Sequence, residues 1–253
     1  MKTANKILLT AFIILCIGVI SLVYMIQQGI SGKTIHGTGE IILLEKPLQE
    51  SFQNLELRNN LQVYITQENT NQVTIEAHEN IARLVETEVK DGILLVSLSE
   101  GVRKDDTPKI HVSVTDLHGI DASRGVIVES ANKLSGSYLS HILQAGAKST
   151  LELDYDELKI HMRAGAYGTL SGNVSMLKIN SSSGALLEAS QLQARYCEIK
   201  TSMGTVNSLH VTKKLSGSVS QGAVVSYIAN PDISELAIRG GGQLSRMNQK
   251  NNR

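Results

Sequence analysis

The tetrapeptide Arg163-Ala164-Gly165-Ala166 is the clearest copy of a short phrase that returns throughout the second half of the chain. Every copy has glycine at its third position, and most of these glycines have small neighbours. The repeated glycines are Gly125, Gly146, Gly165, Gly184, Gly204, Gly222 and Gly241. Successive glycines are separated by 18 to 21 residues. A period this steady predicts a protein built from stacked structural repeats.

Apolar residues repeat in phase with the glycines. Seven positions before five of the glycines stand Leu139, Leu158, Leu177, Cys197 and Leu215. Isoleucine follows two positions later at Ile160, Ile179 and Ile199, and such alternation is typical of a β-strand with one buried face. Each period of roughly 19 residues is therefore predicted to form one coil of an all-β parallel solenoid of about seven coils.

The seven glycines are expected to mark bends between strands. A sharp bend often needs a residue with positive φ, and stacked coils are expected to leave little room for a side chain. A phosphate-binding glycine loop is the alternative, but such a loop opens a helix, and no helical pattern follows these glycines. They are interpreted as structural residues, and no catalytic, cofactor-binding or metal-binding residue is assigned.

A long apolar segment lies close to the amino terminus. It runs from Ile7 to Ile26, long enough to cross a bilayer core of about 30 Å. No small-x-small cleavage site follows it, so an uncleaved signal-anchor over residues 1–28 is favoured over a cleaved signal peptide. Lys2 and Lys6 precede the segment, which predicts a cytoplasmic amino terminus and an exported domain.

Composition fits a single exported domain behind this anchor. The chain has 253 residues, 24 basic and 24 acidic side chains, and this balance argues against nucleic-acid binding, which needs a basic footprint. The predicted divisions are the anchor (1–28), a short tether (29–38), irregular first coils with an amino-terminal cap (39–116), regular solenoid repeats (117–244) and a disordered polar tail (245–253).

The order of several motifs resembles a known family. Thr87-Glu88-Val89 and Asp91-Gly92 precede the glycine phrases, and Tyr227-Ile228-Ala229-Asn230-Pro231 closes the series. Over roughly residues 36–244 this order is similar to the head GIN domain family, described as auto-transporter adhesin heads. The resemblance implies a right-handed parallel β-helix on the bacterial envelope with no established activity. Together with the anchor, it predicts a single-pass inner-membrane protein whose domain lies in the periplasm.

Few residues suggest chemistry. Asp154, Asp156 and Glu157 are close enough in sequence to hold Ca²⁺, but no glycine-spaced ligand loop surrounds them, so a solvated bend is preferred. A dispersed Ser-His-Asp site stays open, although no Gly-x-Ser-x-Gly elbow is present. The histidines show no two-ligand spacing and are all expected at surface or edge positions: His36, His78, His111, His118, His141, His161 and His210.

Three functions are compatible with this sequence. A noncatalytic envelope module that binds a protein or a glycan through a flat side of the solenoid is favoured. A polysaccharide-acting β-helix enzyme would need carboxylates or basic residues recurring in register on one face, and none is apparent. Self-assembly of an envelope scaffold through an open solenoid end, giving a homo-oligomer, is the third function. With 4% aromatic residues and no tryptophan, a protein partner is slightly preferred over a glycan.

Overall fold

The structure is a computed structural model that describes residues 34–48 and 50–247, together with Gly18 and Ser21. The anchor predicted between Ile7 and Ile26 lies outside the described residues except at those two positions. Across the part of the chain that is described, no helix has the length and apolar character needed to cross a membrane.

The described residues form an all-β fold, as predicted. A short helix, α1 (Glu79–Ala82), and a 3₁₀ turn (Lys104–Asp106) interrupt the strands. The strands are β1 (Ile41–Lys46), β2 (Asn54–Arg58), β3 (Gln62–Gln67), β4 (Gln72–His78), β5 (Val85–Lys90), β6 (Ile93–Leu98), β7 (Lys109–Val114), β8 (Gly119–Ser123), β9 (Ile127–Ser130), β10 (Leu134–Gln144), β11 (Lys148–Arg163), β12 (Tyr167–Ser181), β13 (Leu186–Thr201), β14 (Val206–Val219), β15 (Val224–Ile228), β16 (Leu236–Ile238) and β17 (Gln243–Arg246).

Strands β10 to β14 form the regular part of a parallel solenoid. Each strand pairs in parallel with the next along almost its whole length. The apolar residues predicted to repeat are Cα partners in this ladder, and all of them are buried: Leu139, Leu158, Leu177, Cys197 and Leu215. Each coil therefore buries its apolar face against its neighbours, which confirms the predicted solenoid.

Each regular coil has two sides joined by a bend. In β11, the inward side chains are first at odd-numbered positions, Leu151, Leu153 and Tyr155. After the bend they are at even-numbered positions, Leu158 and Ile160. The residues that follow a glycine corner form what we call the first side, and the residues that precede the next corner form the second side. On both sides every other side chain points outward, so outward residues of successive coils form rows along the solenoid.

The amino-terminal part stacks its layers out of chain order. Strands β2 and β3 precede β6 to β9 in sequence. In the structure, however, they lie between a layer made by β6 and β7 and a layer made by β8 and β9. Antiparallel strands then cover this end of the solenoid: β4 pairs with β7, β1 pairs with β4, and β5 pairs with β6. The β5–β6 hairpin turns at Asp91 and Gly92, both with positive φ, as the sequence predicts.

Two of the predicted boundaries need correction. Within the predicted tether (29–38), Ile35 forms a bridge with Val102, and its amide donates to the carbonyl oxygen of Gly101 at 2.9 Å. At the other end, β17 pairs with β15, so the solenoid extends into the predicted disordered tail (245–253). Residues 248–253 lie outside the described part.

Candidate functional site

The predicted bend glycines all have positive φ, between 68° and 78°. The residue before each glycine also has positive φ, so each corner consists of two consecutive left-handed residues. A Cβ added to Gly146, Gly165, Gly184, Gly204 or Gly222 would meet nothing within 4 Å. The expectation that stacked coils leave no room at the corners is therefore wrong for these five, and backbone conformation alone favours glycine there.

The amides of six corner glycines already donate to a carbonyl oxygen of the next coil. The Gly165 amide donates to the carbonyl oxygen of Ser183 in the next coil at 3.1 Å, and the Gly184 amide donates to the carbonyl oxygen of Met203 at 3.0 Å. The same bond recurs at Gly125, Gly146, Gly204 and Gly222. These bonds tie successive corners together, and they rule out a phosphate cradle built from the same amides.

Steric requirements do explain glycine at two positions outside the corner series. A Cβ at Gly172 would overlap the backbone carbonyl of Leu153, and a Cβ at Gly217 would overlap that of Ile199. Both glycines have φ above 100°, which other residues rarely adopt. Neither glycine fits the period of the corner phrases, so the repeat pattern does not identify them.

A row of outward apolar side chains runs along the first side of the solenoid. We call it the apolar row, and its members are Ile127, Tyr167, Leu186, Val206 and Val224, with Lys148 between the first two. Tyr167 and Val206 keep 37% and 38% of their surface exposed. Five strand spacings of about 4.8 Å give the row a length of about 24 Å. Such a stripe of exposed apolar surface is typical of a site that contacts another macromolecule.

The outward row beside the apolar row is polar. Its members are Glu129, Thr150, Thr169, Glu188, Ser208 and Ser226, which are Cα partners in successive coils. Ser208 donates to the carboxylate of Glu188 at 3.1 Å. Hydroxyl groups therefore border the apolar row on one flank, in the manner of the polar rim around an interface core.

The second side carries charges in register, contrary to the expectation that none recur. Lys159 and Lys178 are Cα partners, and His161 and Lys200 lie on the same face. Lys178 forms an ion pair with Glu157 at 2.7 Å. The recurrence was visible in the sequence, because Lys159 and Lys178 are one period apart.

Two carboxylates also occupy adjacent positions on the second side. Glu56 and Asp121 are Cα partners, and both contact the guanidinium of Arg58 at 3.0 Å. Arg58 also donates to the hydroxyl of Ser123 at 2.8 Å. Arg58 therefore bridges the two carboxylates of neighbouring layers.

The three acidic residues considered for Ca²⁺ do not converge. Glu157 pairs with Lys178, whereas Asp154 and Asp156 line a groove at the bend between the two sides. Within the described residues, no group of three His, Cys, Asp or Glu side chains could hold a metal ion. No metal or cofactor site is therefore built from these carboxylates.

His141 is buried, so the expectation that every histidine lies at the surface or an edge is wrong. Its Cα partner is Ile160, and it occupies the inward position that isoleucine fills in the next coils. Nε2 lies 2.9 Å from Oγ of Ser149, and Nδ1 has no hydrogen-bond partner. Burial lowers the pKa of His141 to about 4, although the backbone of Ile120 and the charge of Asp121 oppose this change.

The His141–Ser149 contact does not resemble a working nucleophile. Both side chains are buried, so a substrate would have no path to the serine hydroxyl. Cys197 is buried in the same interior, and burial raises the pKa of its thiol well above the ordinary range, which leaves it protonated and unreactive. These polar and sulfur atoms therefore belong to the packed core.

A carboxylate on the antiparallel cap organises a small polar cluster. Glu76 accepts from Lys109 at 2.8 Å and contacts Nε2 of His111 at 3.1 Å. The Lys109 ammonium holds the pKa of Glu76 below its ordinary value. His111 stacks on Tyr64 with ring centroids 5.4 Å apart, so the cluster covers the outer surface of β3, β4 and β7.

Comparisons with known proteins agree with this architecture. A sequence profile of the family described as "Putative auto-transporter adhesin, head GIN domain" matches residues 51–231. No protein with a curated description matches the chain.

Several crystal structures share the fold. A structure described as a putative adhesin from Bacteroides fragilis has a TM-score of 0.77 at 20% identity, covering 84% of this chain and 100% of its own. A structure described as a putative lipid binding protein from Parabacteroides distasonis has a TM-score of 0.68 at 16% identity, covering 85% and 100%. A putative adhesin from Parabacteroides merdae has a TM-score of 0.62 at 16% identity, covering 85% and 99%. At these identities the likeness concerns the fold alone.

Proposed function

Since the chain belongs to the family described as "Putative auto-transporter adhesin, head GIN domain", we propose that it is a noncatalytic, adhesion-like binding module of the cell envelope. The observation that carries this proposal is the apolar row. Apolar side chains recur in register on an outward face, where they contribute nothing to the core of this chain. A partner that covers the row would remove apolar surface from water, which is the main source of affinity in protein association.

The partner we propose for this row is another protein rather than a glycan. Four of the six positions in the row are aliphatic, at Ile127, Leu186, Val206 and Val224, and such a surface suits protein side chains better than sugar hydroxyls. The family name supports a surface-binding role.

We further propose how the module is displayed. The apolar segment ending at Ile26 would act as an uncleaved inner-membrane anchor, and the solenoid would lie in the periplasm as a right-handed parallel β-helix. What supports the anchor is the length of the segment and the absence of a signal-peptidase site in the sequence.

Site-specific photocrosslinking in the producing cells tests the binding proposal. A benzophenone amino acid would replace Val206 in the apolar row or, as a matched control, Lys200 on the second side. Both residues are exposed, and they lie on either side of the same corner, at Gly204. Expression and labelling of the two variants should therefore be comparable. We expect a discrete product of higher mass from position 206 and none from position 200. An equal product from both positions, or none from position 206, would contradict the proposal.

A further inference from the structure

A groove runs along the bend between the two sides of the solenoid. It encloses about 340 Å³, within the range of about 300 to 1,000 Å³ found for small-molecule sites. Asp154, Asn173 and Gln193 form a row across it, because they are Cα partners in the parallel ladder. Asp156, Ser175 and Arg195, each two positions further on in the same three coils, also line this bend groove.

The polar side chains of the bend groove are unpaired. Within the described chain, the side chains of these six residues make no hydrogen bond and no ion pair with protein groups. Some other surface charges are paired, as Lys178 is with Glu157 at 2.7 Å and Lys109 is with Glu76 at 2.8 Å. The carboxylates and the guanidinium of the groove stay apart because two coils separate Asp156 from Arg195, about 10 Å along the axis.

This set of groups matches a ligand with many hydroxyls. Carboxylate oxygens only accept hydrogen bonds, a guanidinium only donates them, and carboxamides and serine hydroxyls do both. A sugar hydroxyl also donates and accepts, so it can bond to every member of the set. Because the rows recur at about 4.8 Å, an oligosaccharide lying along the solenoid axis would meet new polar groups at each coil.

Exposed tyrosines flank the bend groove. Tyr138, Glu157, Met176 and Tyr196 are successive Cα partners in the adjoining row. Tyr138 and Tyr196 retain 38% and 41% of their surface exposed, and the guanidinium of Arg195 lies 6.0 Å from the ring centroid of Tyr196. An aromatic face provides an apolar surface against which the C–H face of a sugar ring can pack.

A peptide fits this groove less well than a glycan. An extended peptide binds to a sheet by adding a strand to a free edge, where backbone groups supply most of the affinity. Strands β11, β12 and β13 pair on both sides through the groove region, so no free edge is available there. Side chains alone must recognise the ligand, and their chemistry favours hydroxyls.

We propose that the bend groove binds an uncharged oligosaccharide segment that lies along the solenoid axis. Asp154, Asn173 and Gln193 bond to successive sugar hydroxyls, and Tyr196 packs against one ring. The groove is a different surface from the apolar row, so this inference goes beyond the proposed function, and the failure of one leaves the other unaffected.

The test titrates the full-length protein with hexasaccharide probes by isothermal titration calorimetry. The probes are cellohexaose, chitohexaose, xylohexaose and maltohexaose, with the peptide (Lys-Glu)₃ as a probe of the competing partner class. The groove variant is Asn173→Ala/Gln193→Ala. The matched control is Asn180→Ala, which removes an exposed asparagine from the second side of the same strand, β12.

We expect at least one hexasaccharide to bind with a Kd below about 1 mM, or about −4 kcal/mol. The groove variant should weaken that binding at least tenfold, and the control should change it less than twofold. The absence of binding by every hexasaccharide, equal effects of the two variants, or groove-dependent binding of the peptide alone would overturn the proposal. Because no side chain of the groove variant is bonded to the protein, its melting temperature should match that of the wild type, which separates lost binding from lost folding.

Discussion

Acid should destabilise this protein through His141. The folded protein keeps this side chain neutral, with a pKa of about 4 instead of the ordinary 6.5. Below pH 6.5 the unfolded chain binds a proton that the folded chain cannot accept until the pH approaches 4. The stability contribution of neutral His141 is therefore complete above pH 6.5 and is lost as the pH falls through about 4. At 1.36 kcal/mol per pKa unit, the loss amounts to about 3 kcal/mol.

The variant that isolates this effect is His141→Ile/Ser149→Ala. Isoleucine already occupies the equivalent positions 160 and 179, and the alanine prevents an unsatisfied Ser149 hydroxyl in the core. Urea unfolding, followed by circular dichroism between pH 7 and pH 4, gives the free energy of unfolding at each pH. We expect the double variant to lose less stability on acidification than the wild type, by about 3 kcal/mol over this range.

The matched control is His161→Gln, which removes an exposed histidine from the next coil. The difference in pH dependence between the control and the double variant isolates the buried site. If the double variant loses as much stability between pH 6.5 and pH 4 as the wild type, the account of His141 is wrong.

Three further predictions concern the glycines, the anchor and metals. Gly172→Ala should destabilise the fold far more than Gly165→Ala, because a Cβ at position 172 overlaps a backbone carbonyl. A Cβ at position 165 meets no atom, so that variant costs only about 1 to 2 kcal/mol of left-handed strain. Equal melting temperatures of the two variants would contradict this. If the segment from Ile7 to Ile26 is an uncleaved span, the full-length protein should stay in the membrane after carbonate washing, and recovery of a soluble chain lacking residues 1–28 would argue for cleavage. Treatment with EDTA should leave the melting temperature unchanged, and no common polysaccharide should be cleaved; a metal-dependent melting shift or turnover would count against a noncatalytic module.

The sequence predicts the regular coils well because their signal is local and periodic. Leu158 and Leu177 are one period apart, so one inward position predicts the next, and the structure pairs them. The same rule could have identified His141, which follows Leu139 as Ile160 follows Leu158. Residue type alone favours a surface position for His141, but its position in the repeat is more informative than the polarity of its side chain.

The amino-terminal layers were not predictable in the same way. Leu55 and Leu57 in β2 alternate like residues of any half-buried strand, and nothing local indicates that β2 lies between β6 and β8. Non-local pairing of this kind joins strands that are far apart in sequence, so no local pattern reports it. The bend groove could not be predicted from local sequence either. Asp154, Asn173 and Gln193 become neighbours only when three coils are stacked in register.

A competition measurement tests the proposed function most directly. Envelope membranes prepared from cells that carry the photocrosslinker at position 206 would be illuminated with an excess of purified protein. The added protein is the wild type, Leu186→Asp/Val206→Asp, or the control Lys159→Asp/Lys200→Asp on the second side. All four side chains are outward, so each protein should keep its fold, which circular dichroism checks. If the apolar row is the binding surface, the wild type and the control abolish the crosslinked product and Leu186→Asp/Val206→Asp does not. Equal competition by all three proteins would contradict the account.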